Sequence, residues 1–210
     1  MVLAVVLTVF AGYLLGNLNG AVSMSNLLGH EDIRDTGSGN AGLTNFMRRY
    51  GPASGLAVIA IDVAKSVLSC LLGMCLLRPF GYAKEGMMIG AVAVSLGHDF
   101  PALLGFRGGK GILSGLAIAL TVDYRCGLII LAIFAVSLAV TRYVSLSSIL
   151  GALGFSVSFA VFYWNKPFVA VCGVLLGLLA VFMHRSNIGR LIKGTEKKAT
   201  FSQFRRKKNK

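Results

Sequence analysis

Three short stretches, 32–49, 97–111 and 184–198, combine glycine, small hydroxyl or amide side chains and basic residues, and they are where chemistry is to be sought. In the first, Gly37-Ser38-Gly39-Asn40-Ala41-Gly42 is followed by Thr44, Asn45 and Arg48. Glycines expose backbone N–H groups, the short side chains add donors, and Arg48 supplies a planar cation. Such a nest opening onto a helix suits a phosphate. The letters also match G-x-G-x-x-G, with Asp62 further on, but no strand precedes them and Asp62 lies in an apolar run, so the dinucleotide fingerprint fails. A flexible loop with helix-capping residues is the plain alternative. In the second stretch, Arg107-Gly108-Gly109-Lys110-Gly111 follows His98, Asp99 and Pro101. It is not a Walker A loop, because Gly111 stands where Ser or Thr is needed. It is still a second anion cradle, with Lys110 as a mobile charge, unless it is merely a basic turn. In the third, His184 and Asn187 are spaced to share a helix face, among Arg185, Arg190, Lys193, Glu196 and Lys197. That cationic setting favours a neutral imidazole able to donate or accept. Two anion nests beside an apolar body imply two phosphorylated substrates, at least one carrying an acyl chain.

The elements that must position these stretches are membrane helices. Of 210 residues, 55% are hydrophobic and 14% charged, against about a quarter charged in a soluble domain. Apolar runs fall near 2–28, 52–77, 86–104, 112–124, 126–141, 149–164 and 167–183. A span needs about 17–25 residues, so the first three suffice and the fourth to sixth are short. Either they borrow interfacial residues or 112–141 is a re-entrant hairpin broken at 123–125. The expected fold is therefore an all-α polytopic bundle of seven transmembrane helices, with five as the alternative. Arg34, Arg48, Arg49, Arg107, Lys110, Arg142, Arg185, Arg190, Lys193, Lys197, Lys198 and the tail's Arg205, Arg206, Lys207, Lys208 and Lys210 fall on one side. Arg78, Lys84, Arg125 and Lys166 fall on the other. The positive-inside rule then places the N-terminus outside and the C-terminus in the cytoplasm, with all three polar stretches on the cytoplasmic face. One membrane domain, 1–198, is followed by a basic tail, 199–210, suited to anionic lipid and not to nucleic acid, since no aromatic-basic platform accompanies the net charge of +13. The N-terminal run is read as a retained span, not a cleaved signal. The four cysteines are read as core residues, and no metal site or cofactor is implied. Asp62 and Lys65, inside a span, would each cost about 2.5–3.5 kcal/mol alone at mid-bilayer, so a structural ion pair is expected. Ser145, Ser147 and Ser148 either cap the sixth span or line the pocket.

With the residues set out, D-I-R-x-x-G-S-G-N-x-G-x-T-N-x-x-R, G-H-x-x-P-x-x-x-x-F-R-G-G-K-G and H-R-x-N-I-x-R-L-x-x-G-x-E-x-K resemble the three motifs of the bacterial acyl-phosphate:glycerol-3-phosphate acyltransferases, the PlsY family. The resemblance runs from 32 to 198. It implies a seven-span enzyme of the bacterial inner membrane, functional as a monomer, that moves a fatty acyl group from acyl phosphate to the 1-hydroxyl of glycerol 3-phosphate. The products would be lysophosphatidic acid and phosphate, in phospholipid synthesis. By motif position, Ser38 and Arg48 match essential residues of the first motif. Gly108, Gly109, Lys110 and Gly111 match the glycerol-3-phosphate loop, His184 and Asn187 match active-site residues, and Glu196 matches a structural one. Ser147 and Ser148 correspond to pocket serines. The chain departs from the family pattern at Leu43, Arg107, Ile112–Ser114 and Asn17–Asn19, which touches pocket shape more than polar contacts. An anion carrier would use the same nests, but near the midplane; a lipid-binding scaffold would not need two.

Overall fold

The structure, a computed structural model, describes residues 1–29 and 31–199, and no strand occurs among them. The expected basic tail therefore lies outside the described residues, apart from Ala199. The first apolar run is two helices, α1 (Val2–Asn17) and α2 (Gly20–Leu27), set at 46°. Asn19 makes the break: its side-chain oxygen accepts from Ala21 N and Val22 N, capping α2. Its amide donates to the Ala41 carbonyl at 3.0 Å, tying the break to the first glycine loop. After the amphipathic α3 (Leu43–Tyr50), Pro52 opens α4 (Pro52–Leu77), where its missing N–H costs nothing. Then follow α5 (Ala83–Asp99), α6 (Ile112–Val122), α7 (Tyr124–Thr141), α8 (Val144–Phe162), α9 (Pro167–Met183) and α10 (Arg185–Ile192).

Four helical stretches, 52–80, 83–104, 124–141 and 144–162, are long and apolar enough to cross a membrane. The bent pairs α1–α2 and α9–α10, the latter at 55°, raise the number to six at most. The helix lengths sharpen the reading of the short apolar runs. The fifth and sixth runs do borrow flanking residues, since α7 has 18 residues and α8 has 19. Apolar counting stopped at the serines, but Ser147 and Ser148 donate to the Tyr143 and Val144 carbonyls at 2.9 and 2.8 Å, which lets them sit inside the first turns of α8. The fourth run alone is short: α6 has 11 residues, about 16 Å at 1.5 Å per residue, roughly half a hydrocarbon core. It ends at Asp123, whose carboxylate caps α7 from Arg125 N at 3.0 Å.

The distribution of side chains is inverted relative to a soluble protein. On α9, Phe168, Val171, Leu175, Leu178 and Phe182 form an exposed stripe at helical spacing, whereas Asp62, Lys65, Ser66 and Ser69 of α4 are buried. Lipid solvates the first set, and only the bundle interior can satisfy the second. α5 is central, packed on α1 and α4 on one side and α9 on the other, while α8 lies between α7 and α9. Close approach depends on small residues: a Cβ at Gly16 would meet the backbone of Gly97.

Candidate active site

At one end of the bundle a cavity of about 1280 Å³ is lined from all three polar stretches. Gly37, Ser38, Asn40, Thr44, Asn45 and Arg48 reach it from the first, Lys110 and Gly111 from the second, and His184, Asn187 and Glu196 from the third; Ser148 of α8 and Asp62 also contribute.

The first loop is rigidly built. Asn45, buried at the start of α3, donates to the Ile33, Thr36 and Asn40 carbonyls and accepts from Ser38 N at 3.0 Å. Its polar atoms are thus committed to shaping the loop, although a substrate contact was expected of it. Gly37, at φ +60°, leaves no room for a Cβ beside the Asn45 amide. Arg34 sews this loop to the second: it pairs with Asp32 at 2.7 Å and donates to the Leu104 and Arg107 carbonyls at 2.6 and 3.2 Å. That hydrogen bond holds the Asp32 carboxyl below its usual range and raises Arg34. Arg48, in the last turn of α3, has a buried Nε without a partner among the described residues, a donor ready for an anion.

Across the cavity a polar chain runs from the second loop to the third. Lys110 Nζ donates to Asn187 Oδ1. Asn187 Nδ2 donates to Glu196 Oε1 at 2.9 Å, and Arg190 Nε to Glu196 Oε2 at 2.6 Å. Desolvation, with Arg190 and Arg185 nearby, pushes Lys110 down to about 8 against the opposing pull of Glu196. Burial works against the Glu196 charge, but the Ser145 hydroxyl, the Asn187 amide and Arg190 outweigh it and hold the carboxyl below its ordinary value. His184 stands at the bend between α9 and α10. Its Nδ1 lies 2.8 Å from the Ala180 carbonyl, which can only accept, so Nδ1 carries the proton and Nε2 keeps a free lone pair.

Other expected residues lie off the cavity wall. Arg107 is exposed and 3.9 Å from Asp35, and the Ser147 hydroxyl donates to the Tyr143 carbonyl. Gly39, at φ +71°, serves the turn, while Gly108 and Gly109 lie against the end of α5. Asp62 and Lys65 form an ion pair at 2.8 Å in the bundle. Sequence reasoning missed Arg49 and Tyr50, which follow Arg48 on α3 without any distinguishing spacing. It also missed the apolar wall of Leu116, Leu131 and Phe134, indistinguishable in sequence from lipid-facing residues. That wall is shared with an adjoining apolar pocket of about 60 Å³, which continues past Ile118, Phe155 and Gly177 toward the core. The site thus joins a cationic basin to a smaller, mainly apolar pocket.

Comparison with known proteins shows the family. The family model described as "Glycerol-3-phosphate acyltransferase" matches residues 6–194. A glycerol-3-phosphate acyltransferase of Thermoanaerobacter sp. (strain X514) is 42% identical over 193 residues, covering 92% of this chain and 94% of its own length. Two crystal structures of PlsY (YgiH), an integral membrane glycerol 3-phosphate acyltransferase, superpose on 95% of this chain and 97% of theirs. The glycerol 3-phosphate form has a TM-score of 0.84 at 29% identity, and the lysophosphatidic acid form 0.82 at 28%. The chain belongs to the glycerol-3-phosphate acyltransferase family.

Proposed function

We propose that the protein transfers a fatty acyl group from acyl phosphate to the 1-hydroxyl of glycerol 3-phosphate, releasing lysophosphatidic acid and inorganic phosphate. The observation that carries this reading is the single cavity in which Ser38, Arg48, Lys110, His184 and Asn187 meet beside a mainly apolar pocket. Acyl phosphate is already activated, so the protein needs chiefly to hold two anions together against their repulsion, by proximity and fixed charge. One phosphate rests on the Ser38–Arg48 nest, where Arg48 Nε awaits a partner, and the other near Lys110 and the glycine turn. Gly37, Gly39, Asn40, Thr44, Asn45, Arg107, Gly108, Gly109, Gly111 and Ser148 shape or line the two nests, Ser147 is bonded within α8, and Glu196 holds Asn187 and Arg190. The acyl chain follows the wall of Leu116, Leu131 and Phe134. The 1-hydroxyl oxygen attacks the acyl carbon, the bond from that carbon to the phosphate oxygen breaks, and the pair leaves with phosphate. The hydroxyl proton passes to His184 Nε2 or to a substrate phosphate oxygen.

Around this site we read seven spans, with α6 as the shortest element, in the bacterial inner membrane, and a protein functional as a monomer. The basic residues gather at the cavity end of the bundle, which favours a cytoplasmic site, an external N-terminus and a cytoplasmic C-terminus. Purified protein supplied with palmitoyl phosphate and labelled glycerol 3-phosphate should form lysophosphatidic acid without a second protein. Product formation from acyl-CoA or acyl carrier protein but not from acyl phosphate would overturn the donor assignment.

A further inference from the structure

α4 carries a carboxylate inside the bundle, and the protein uses only half of it. Asp62 is 3% exposed; its Oδ1 meets Lys65 Nζ at 2.8 Å and accepts from Gly20 N at 3.2 Å. Lys65 is itself held, because the Leu18 and Gly16 carbonyls accept from Nζ at 2.7 and 3.3 Å and His98 Nδ1 lies at 2.7 Å. The ion pair is therefore fixed, and Oδ1 is occupied. Oδ2 is different. No hydrogen bond or ion pair reaches it among the described residues. Nor is it sealed in protein, as the unpartnered Asp99 Oδ1 is. Asp62 lines the large cavity, which reaches from Gly51, just before α4, to this residue, about 15 Å along the helix. Oδ2 thus opens onto the cavity. An ionisable group within a span that keeps an unsatisfied atom toward water marks a ligand contact.

The chemistry of that opening narrows the ligand. Glu196, the other carboxylate on the cavity wall, has its two oxygens engaged by Asn187 and Arg190. In its ion pair the Asp62 carboxylate only accepts, so it repels a phosphate and takes a donor. Acyl phosphate brings no alcohol, whereas glycerol 3-phosphate brings two. Its 1-hydroxyl is the one that reacts, which leaves the 2-hydroxyl to be recognised. We propose that Asp62 Oδ2 accepts a hydrogen bond from the 2-hydroxyl of glycerol 3-phosphate, with Lys65 as the positioning residue that aims the carboxylate. A carboxylate kept only for its ion pair would have its second oxygen bonded to protein. The inference rests on the acyl-transfer reading for the identity of the ligand, and a direct binding measurement separates the two.

The first experiment compares glycerol 3-phosphate with dihydroxyacetone phosphate, which keeps the phosphate and the primary alcohol but has a carbonyl in place of the 2-hydroxyl. With palmitoyl phosphate as donor, wild type should show kcat/KM at least about tenfold lower for the ketone, because a carboxylate meets a carbonyl with no hydrogen between them. Asp62→Asn keeps an oxygen for Lys65 and turns an N–H₂ donor toward the cavity. It should cut that preference about tenfold or more, a change in ratio that partial unfolding would not produce. A wild type indifferent to the 2-hydroxyl, or a variant with the preference intact, overturns the proposal. The second experiment needs neither a variant nor an acyl donor. Wild-type protein labelled with ¹³C at aspartate Cγ should show an infrared carboxylate band that shifts on binding glycerol 3-phosphate and not on binding inorganic phosphate, since Asp62 is the aspartate on the cavity wall among the described residues. Equal spectra with both ligands overturn it. If wild type makes no lysophosphatidic acid from palmitoyl phosphate, the donor assignment fails, while the infrared shift still tests Asp62.

Discussion

His184 and His98 line one cavity, and each is fixed by a different kind of neighbour at Nδ1. At His184 the neighbour is the Ala180 carbonyl, an obligate acceptor, which leaves Nε2 as a base. At His98 it is the Lys65 ammonium, an obligate donor, which leaves the hydrogen on Nε2, against Gly109. The same side chain is thus held in opposite tautomers by what stands behind it. In the proposed mechanism His184 removes the proton while His98 is held by Lys65 inside the bundle, and kinetics can break that contrast. His184→Ala should lower kcat by about 10²–10⁴-fold, the range for a lost general base, with KM for glycerol 3-phosphate little changed. A His184→Ala enzyme with wild-type turnover would remove it from the role.

A smaller effect sharpens the contrast between the third polar stretch and the helix bundle. Asn187 links Lys110 to Glu196, so its loss leaves a partly buried ammonium without its acceptor. Hydrogen bonds to charged groups contribute about 1.5–3 kcal/mol, which sets the expected fall in kcat/KM for Asn187→Ala at about 10- to 100-fold. Steady-state kinetics at fixed pH, with a melting curve to confirm folding, checks this. A change below about twofold would mean that the polar chain across the cavity does not position Lys110.

Lys110 itself gives a pH signature. Its pKa is lowered from 10.5 to about 8, mainly by desolvation, so the free site loses its ammonium as pH rises through about 8. KM for glycerol 3-phosphate should therefore climb on the alkaline side of that value, and kcat should follow only if Lys110 also acts in the transition state. Lys110→Arg, which stays charged, should flatten the alkaline limb even where its fork lowers activity at neutral pH. An alkaline limb identical in both proteins would assign the titration to another group.

How much of this could be read from the chain depended on which physical signal each residue leaves. Glycine, serine and arginine crowded into a short polar loop are expensive in a bilayer unless they line water, so Ser38, Arg48 and Lys110 were legible. So was the all-helical membrane architecture, from hydropathy alone. Span ends were less legible, because serines can join α8 by bonding to their own helix and an apolar count cannot see that. Asn17 and Asn19 looked like departures from a pattern. In the fold, Asn17 Oδ1 accepts from Leu103 N at 2.9 Å and Asn19 holds the Ala41 carbonyl, so both brace the loops of the site from a broken helix. Contacts of that kind, across 86 and 22 residues, have no local signature. The His98 tautomer was invisible for the same reason, since Lys65 stands 33 residues away.

The smallest effect belongs to the end of α8 remote from the cavity, where polar residues build structure alone. Tyr163 donates to Asp123 Oδ2 at 3.1 Å at the α6–α7 break, and Asp123 also pairs with Arg125 at 2.7 Å. The Arg125 hydrogen bond, outweighing burial and helped by Tyr163, holds the Asp123 carboxyl down to about 2. A depressed carboxylate stabilises above its unfolded pKa of 3.8, and that contribution is lost as pH falls through about 2. The Arg125 side chain is exposed, so solvent screens that share, and the buried hydroxyl is the firmer contact. Tyr163→Phe should cost about 1 kcal/mol, seen as a modest drop in melting temperature, with kcat and both KM values unchanged. Altered kinetics at wild-type stability would show that the remote end of α8 communicates with the cavity, and the separation between a structural end and a chemical end of the bundle would have to be abandoned.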